Sequence, residues 1–106
     1  MTVGTVFQGI WSAIWMMPTD GVYVSWPISG ELDIMEAVNL KTKGENNNRV
    51  FQTIHFGGSP PDNKLLSTFR DLNFDLTTNF HFYAIEWQLI ILVLFVPICV
   101  NIFTFI

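Results

Sequence analysis

The sequence predicts an all-β domain of the sandwich type. Three observations carry that expectation. Runs of alternating apolar and polar residues recur along the chain, most clearly at 50–56 and 80–87. Clusters of turn-forming residues separate these runs. A run bearing three carboxylates, Glu31-Leu32-Asp33-Ile34-Met35-Glu36, has flanks that disfavour a helix, with Pro27, Ser29 and Gly30 before it and Val38-Asn39 just beyond.

The elements follow in order. Residues 9–17 are apolar and rich in Trp and Ile, and the tetrad Pro18-Thr19-Asp20-Gly21 closes them with a turn. Residues 21–30 read as a loop with aromatic content, and 31–38 as a strand. The polar stretch 40–49, with three consecutive Asn, reads as a surface loop. In the strand at 50–56, Phe51, Thr53 and His55 share one face, while Val50, Gln52, Ile54 and Phe56 share the other. Gly57-Gly58-Ser59-Pro60-Pro61-Asp62-Asn63 is a loop. Residues 64–74 are ambiguous, with a further strand as one reading, and 75–79 form a turn. The alternation of Phe80, Phe82, Ala84 and Glu86 against His81, Tyr83, Ile85 and Trp87 predicts a strand over 80–87.

A chain of 106 residues holds one small domain at most. Nine Asp and Glu against five Lys and Arg, with no basic stripe, disfavour a nucleic-acid surface. Ten Phe and four Trp suit stacking on sugar faces and suit an ordinary core equally well. Cys99 is the single cysteine, so an internal disulfide is excluded. His55 and His81 have no Cys or His at ligand spacing, so no metal site is predicted. Met1-Thr2-Val3-Gly4-Thr5 lack the basic and apolar regions of a secretory signal.

The carboxylate run is the chemical centre of the sequence. Buried carboxylates are costly unless they have a partner or a task. In a strand, Glu31 and Asp33 share a face, but Glu36, five residues from Glu31, would point to the opposite one. A β-bulge near Ile34-Met35 restores the phase and brings Glu36 round. In a helix, Asp33 and Glu36 would be neighbours and Glu31 would sit about 160° from Asp33. Three acids held close suit two-carboxylate glycoside hydrolysis.

The run resembles the signature of glycoside hydrolase family 16 in its bulged form, Glu-x-Asp-x-x-Glu. Gly9-Ile10-Trp11-Ser12-Ala13-Ile14-Trp15-Met16-Met17-Pro18 is similar to the family's Trp-rich stretch, with Ser12 where the family usually has Pro. Trp26-Pro27-Ile28-Ser29-Gly30 is similar to the lead-in to the signature. Thr53-Ile54-His55-Phe56-Gly57-Gly58 and Phe80-His81-Phe82-Tyr83-Ala84-Ile85-Glu86-Trp87 resemble the two strand motifs that follow. The five stretches come in the family's order, and the laminarinase-like endo-β-1,3-glucanases are the branch resembled most.

The resemblance implies a concanavalin-like jelly-roll β-sandwich with a sugar cleft across its concave face, a β-glucan partner and retention of anomeric configuration. It places the nucleophile on Glu31, the acid/base on Glu36 and the helper carboxylate on Asp33. Trp26 is a candidate sugar platform, with a packed loop aromatic as the alternative. His55 is a candidate substrate contact, with a structural hydrogen-bonding role as the alternative. Trp11 and Trp15 are expected in the core. Trp87 and Glu86 either line the far end of the cleft or pack within a strand, and His81 is expected to be at the surface or structural. No cofactor is implied. Many family members are secreted and carry a structural calcium, but the termini that would show either are missing from this chain.

The family domain is at least twice this length, so residues 1–87 are expected to form a partial catalytic domain. Residues 88–106 carry no charge, and three readings stand for this apolar tail: a membrane span, a core segment, or sequence foreign to the domain from read-through or a frameshift, the last favoured. A sandwich missing strands exposes edges and core, so aggregation rather than glucan hydrolysis is the expected fate of the chain as written. Two further functions compete with the enzyme. One is a non-catalytic β-glucan-recognition protein, disfavoured by the retained acids. The other is a small membrane-anchored protein, resting on residues 89–106 alone.

Overall fold

The computed structural model describes residues 8–40 and 48–87, together with the backbone of 91–96 and 99–104. Among these residues the chain is all β. Strands β1 (Trp11–Met16), β2 (Glu31–Val38), β3 (Arg49–Gly57) and β4 (Asn63–Asp71) form one antiparallel sheet in chain order. Strands β5 (Ala84–Trp87), β6 (Ile91–Val96) and β7 (Cys99–Thr104) form a second antiparallel sheet. The ambiguous stretch after residue 63 is therefore a strand. Most of the polar loop expected at 40–49 lies outside the described residues. So do the side chains of 88–106, on which the readings of the apolar tail depend. Among the described residues, no helix is long and apolar enough to cross a membrane.

The bulge is found where the period required it. β2 pairs with β3 as Glu31 opposite His55, Leu32 opposite Ile54 and Asp33 opposite Thr53, and then as Glu36 opposite Phe51. Ile34 and Met35 together therefore face the single residue Gln52. On the other side, Ile14 faces Met35 and Trp15 faces Asp33, so β1 also passes over Ile34. A bulge disrupts the ladder and threatens to leave backbone groups unpaired. Here the Gln52 side chain, 1% exposed, donates from Nε2 to the Ile34 carbonyl at 2.9 Å.

One face of the first sheet is apolar and covered. Met35, Ala37, Leu40, Val50 and Leu76 form its buried core, with Ile14, Leu72, Phe74 and Tyr83 packed around them. The cover comes from residues 72–83, the link between β4 and β5. Met35 and Leu76 are fully buried, and each contributes about 1.5–3 kcal/mol by leaving water.

Two asparagines pin the strand ends. Asn48, at φ 97°, donates from Nδ2 to the carbonyls of Leu72 and Phe74 at 2.7 and 2.6 Å, fixing the start of β3 to the end of β4. Asn39, at φ 53°, accepts from the Gly9 amide at 2.6 Å through Oδ1, fixing the end of β2 to the start of β1. Asparagine tolerates this left-handed backbone better than most residues. Gly57, at φ +95°, opens the β3–β4 turn, where a Cβ would lie 3.2 Å from the Asp62 carbonyl oxygen.

The expected strand over 80–87 needs correction, because only Ala84–Trp87 is strand. Pairing begins at Ala84 opposite Phe95, and side-chain alternation alone cannot make a strand without a partner. Phe80 and Phe82 are exposed, whereas His81 lies against Phe74 with ring centroids 5.2 Å apart.

Replacing Gln52 with Leu removes the donor and leaves the Ile34 carbonyl buried and unpaired. The expected cost is about 1–3 kcal/mol of stability in urea denaturation. An unchanged midpoint would show that the bulge does not depend on this bond.

Candidate active site

The bulge gives the two faces of the first sheet different chemistries. On the face opposite the core, one row crosses β1 to β4 as Trp15, Asp33, Thr53 and Ser67. The row beside it reads Ala13, Glu36, Phe51 and Phe69. Beyond Asp33 on the other side stand Glu31, His55 and Leu65. Glu31, Asp33 and Glu36 are thus brought together on one face, with His55 among them.

Each acid has partners. Asp33, only 4% exposed, lies at the centre, with its Oδ2 3.2 Å from His55 Nε2 and a side-chain hydrogen bond to Glu31. Burial first, then the charges of Glu36 and Glu31, push its pKa from near 3.8 up to about 7. At weakly acidic pH Asp33 therefore holds a proton and donates it to Glu31.

Glu31 also accepts from Trp26, whose indole N–H donates to Oε2. Residues 25–30 fold this tryptophan back. The Ser29 amide donates to the Ser25 carbonyl at 3.2 Å, and the Gly30 amide donates to the Pro27 carbonyl at 2.9 Å. Gly30, at φ +86°, then delivers the chain into β2. The Trp26 ring, partly exposed, stands 5.7 Å from the His55 ring and tilted to it.

Glu36 is held from both sides. Trp11 Nε1 donates to Oε1 at 2.9 Å, and Thr53 Oγ1 donates to Oε2 at 3.2 Å. Thr53 in turn shares a 3.0 Å hydrogen bond with Ser67. Trp11 and Trp15, expected in the core, belong to the carboxylate face, where they are 68% and 52% exposed. The register with β2 sets their direction: Trp15 sits opposite Asp33, and Trp11 sits opposite Val38, two residues beyond Glu36 on the same face. Trp11 and Thr53 are the site contacts that sequence reasoning missed.

A cavity of about 480 Å³ adjoins the site, bordered by Met16, Gly30, Glu31, Ile54, His55 and Trp87. Trp87 therefore borders the same cavity as Glu31. Among the described residues no group of three or more His, Cys, Asp or Glu is arranged to hold a metal ion.

One bulged strand supplying three acids, two of them capped by indole donors, defines a carboxylate-based site on an antiparallel sheet. The chain matches the model of Glycosyl hydrolases family 16 over residues 4–96, and it belongs to that family. It is 39% identical over 85 residues to the glucan endo-1,3-beta-glucosidase A1 of Niallia circulans, a match covering 76% of this chain and 11% of that protein. A family 16 endo-glucanase from Bacteroides ovatus, solved in complex with G4G3G-2F-DNP, has the same fold. Its TM-score is 0.80 at 24% identity, covering 97% of this chain and 44% of that one. The laminarinase catalytic domain of Thermotoga maritima gives a TM-score of 0.66 at 28% identity, covering 92% of this chain and 38% of that one. The chain thus spans less than half the length of each.

Asp33 makes stability depend on pH. Its pKa is higher folded than unfolded, so its contribution is fully present below about 3.8 and is lost as pH rises through about 7. Asp33→Asn is expected to gain stability relative to the parent between about pH 5 and about pH 8. Thermal midpoints of the two proteins at both values check this, and parallel shifts would refute it.

Proposed function

We propose that the whole protein of which these residues are part hydrolyses β-1,3-glucan of the laminarin type by retaining double displacement, on a jelly-roll sandwich. The carrying observation is the placement of Glu31, Asp33 and Glu36 on one face, with the buried Asp33 hydrogen-bonded to Glu31.

In the first step Glu31 attacks the anomeric carbon while Glu36 protonates the glycosidic oxygen. The carbon–oxygen bond to the leaving sugar breaks and an ester bond to Glu31 forms. In the second step Glu36, now a carboxylate, takes a proton from water. The water oxygen attacks the same carbon and Glu31 departs. Two displacements return the original configuration. A retaining pair needs its carboxyls about 5–5.5 Å apart, and two acids flanking a third on one bulged strand suit that requirement.

Asp33 orients the nucleophile through its proton, and Trp26 fixes the other side of the same carboxyl. Trp26 also offers an exposed ring on which a sugar can stack, and His55 faces the substrate from β3. The glucanase named above, at 39% identity, supports β-1,3-glucan as the polymer. Such a polymer is met outside the cell, which is the setting we assign to the whole protein.

Glu31→Gln and Glu36→Gln are each expected to lower turnover of laminarin by about 100-fold or more, measured as reducing ends released. Proton NMR of the first product should show the β anomer. Full activity in either variant, or an α product, would reject the roles assigned.

A further inference from the structure

Trp11 lies outside the catalytic signature, on a different strand. It nonetheless touches the residue on which proton transfer depends. Its Nε1 is 2.9 Å from Glu36 Oε1, and its ring is 68% exposed. An indole N–H can only donate. The oxygen it faces must therefore present a lone pair whether Glu36 is protonated or not. The other oxygen, Oε2, meets the Thr53 hydroxyl at 3.2 Å, and a hydroxyl can turn to donate or accept. Thr53 has room for that turn in its partnership with Ser67, where either oxygen can be the donor.

We infer that Trp11 is a positioning residue that fixes the carboxyl plane of Glu36 and confines its transferable proton to Oε2. This rests on the reading of Glu36 as acid/base. In the first step the proton leaves Oε2 for the glycosidic oxygen. In the second, a proton from water returns to Oε2. Oε1 stays bonded to the indole throughout. Without the indole N–H, the carboxyl can rotate and place its proton on either oxygen, one of which points away from the scissile bond. The loss then falls on proton transfer and leaves sugar binding intact.

Trp11→Phe removes the N–H and keeps an aromatic ring at an exposed position, so the fold should persist, and an unchanged thermal midpoint confirms it. Two substrates separate the roles. Laminarin has a poor leaving group and needs its proton. A 2,4-dinitrophenyl β-oligoglucoside expels its phenolate without one. Trp11→Phe should lower kcat on laminarin about 10-fold or more, with KM held within about twofold. The burst of dinitrophenolate from the aryl substrate should stay within about twofold of the parent, and azide should restore steady turnover of that substrate by replacing base-activated water. An equal fall on both substrates, or no fall on laminarin, overturns the inference. Glu36→Gln measured in parallel tells the two failures apart. If it discriminates between the substrates and Trp11→Phe does not, only the role of Trp11 falls. If it fails to discriminate, the acid/base reading falls and the role of Trp11 with it.

Discussion

The bulge at Ile34 and Met35 decides which side of the sheet receives Glu36, and the gathering of all three acids on one face follows from that choice. A regular strand would turn Glu36 toward Val50 and Leu76, where a carboxylate without a partner is very costly. One surplus residue moves it to the open face and leaves Met35 and Ala37 on the apolar side. The same step brings Phe51 opposite Glu36 and leaves Gln52 facing the bulge, within reach of the Ile34 carbonyl. Register, core and site are thus set by one backbone irregularity, with a buried amide satisfying the group it would otherwise orphan.

Gathering three acids on one face creates repulsion that the fold must offset. It does so with donors drawn from three separate parts of the chain, Trp11 from β1, Trp26 from the loop before β2 and Thr53 from β3, and with the His55 ring from β3 set 3.2 Å from the central acid. Burial and the neighbouring charges raise the pKa of the central acid, so that below about 7 it holds a proton available for its hydrogen bond to Glu31. A cost of assembly is thereby turned into orientation. At the far end of the same face Arg49 pairs with Asp71 at 2.6 Å and lies over the Phe69 ring at 3.9 Å, so its charge is engaged away from the acids.

Much of this was legible in the sequence because it is local. The shared face of Glu31 and Asp33 follows from the two-residue period, and the bulge follows from the odd spacing of Glu36. The shared face of Phe51, Thr53 and His55 is equally local. The direction of Trp11 and Trp15 is not. Within β1 the indoles and the aliphatic residues alternate, and either set could face inward. Only the register of β1 against β2 decides, and that register depends on pairings such as Trp11 with Val38 and Trp15 with Asp33, which are distant in the chain. Residues 80–83 carry strand alternation for the same reason without being strand. Alternation describes side chains, whereas a strand is defined by the backbone it pairs with. The contact between Trp11 and Glu36 was doubly hidden, since an indole donor looks the same in sequence whether it packs or binds.

All three acids stand on β2, within a span of six residues. The spacing of their backbone positions is therefore a property of one short stretch of chain, while the direction of each outer carboxyl is set by donors from other strands and loops. Movements of the neighbouring loops can pass without altering the backbone spacing of the three carboxylates. By the same logic, substitutions in the flanking strands and loops can reshape the ground around the acids and leave that spacing intact. The three acids thus form one local unit of backbone geometry within a surface assembled from distant parts of the chain.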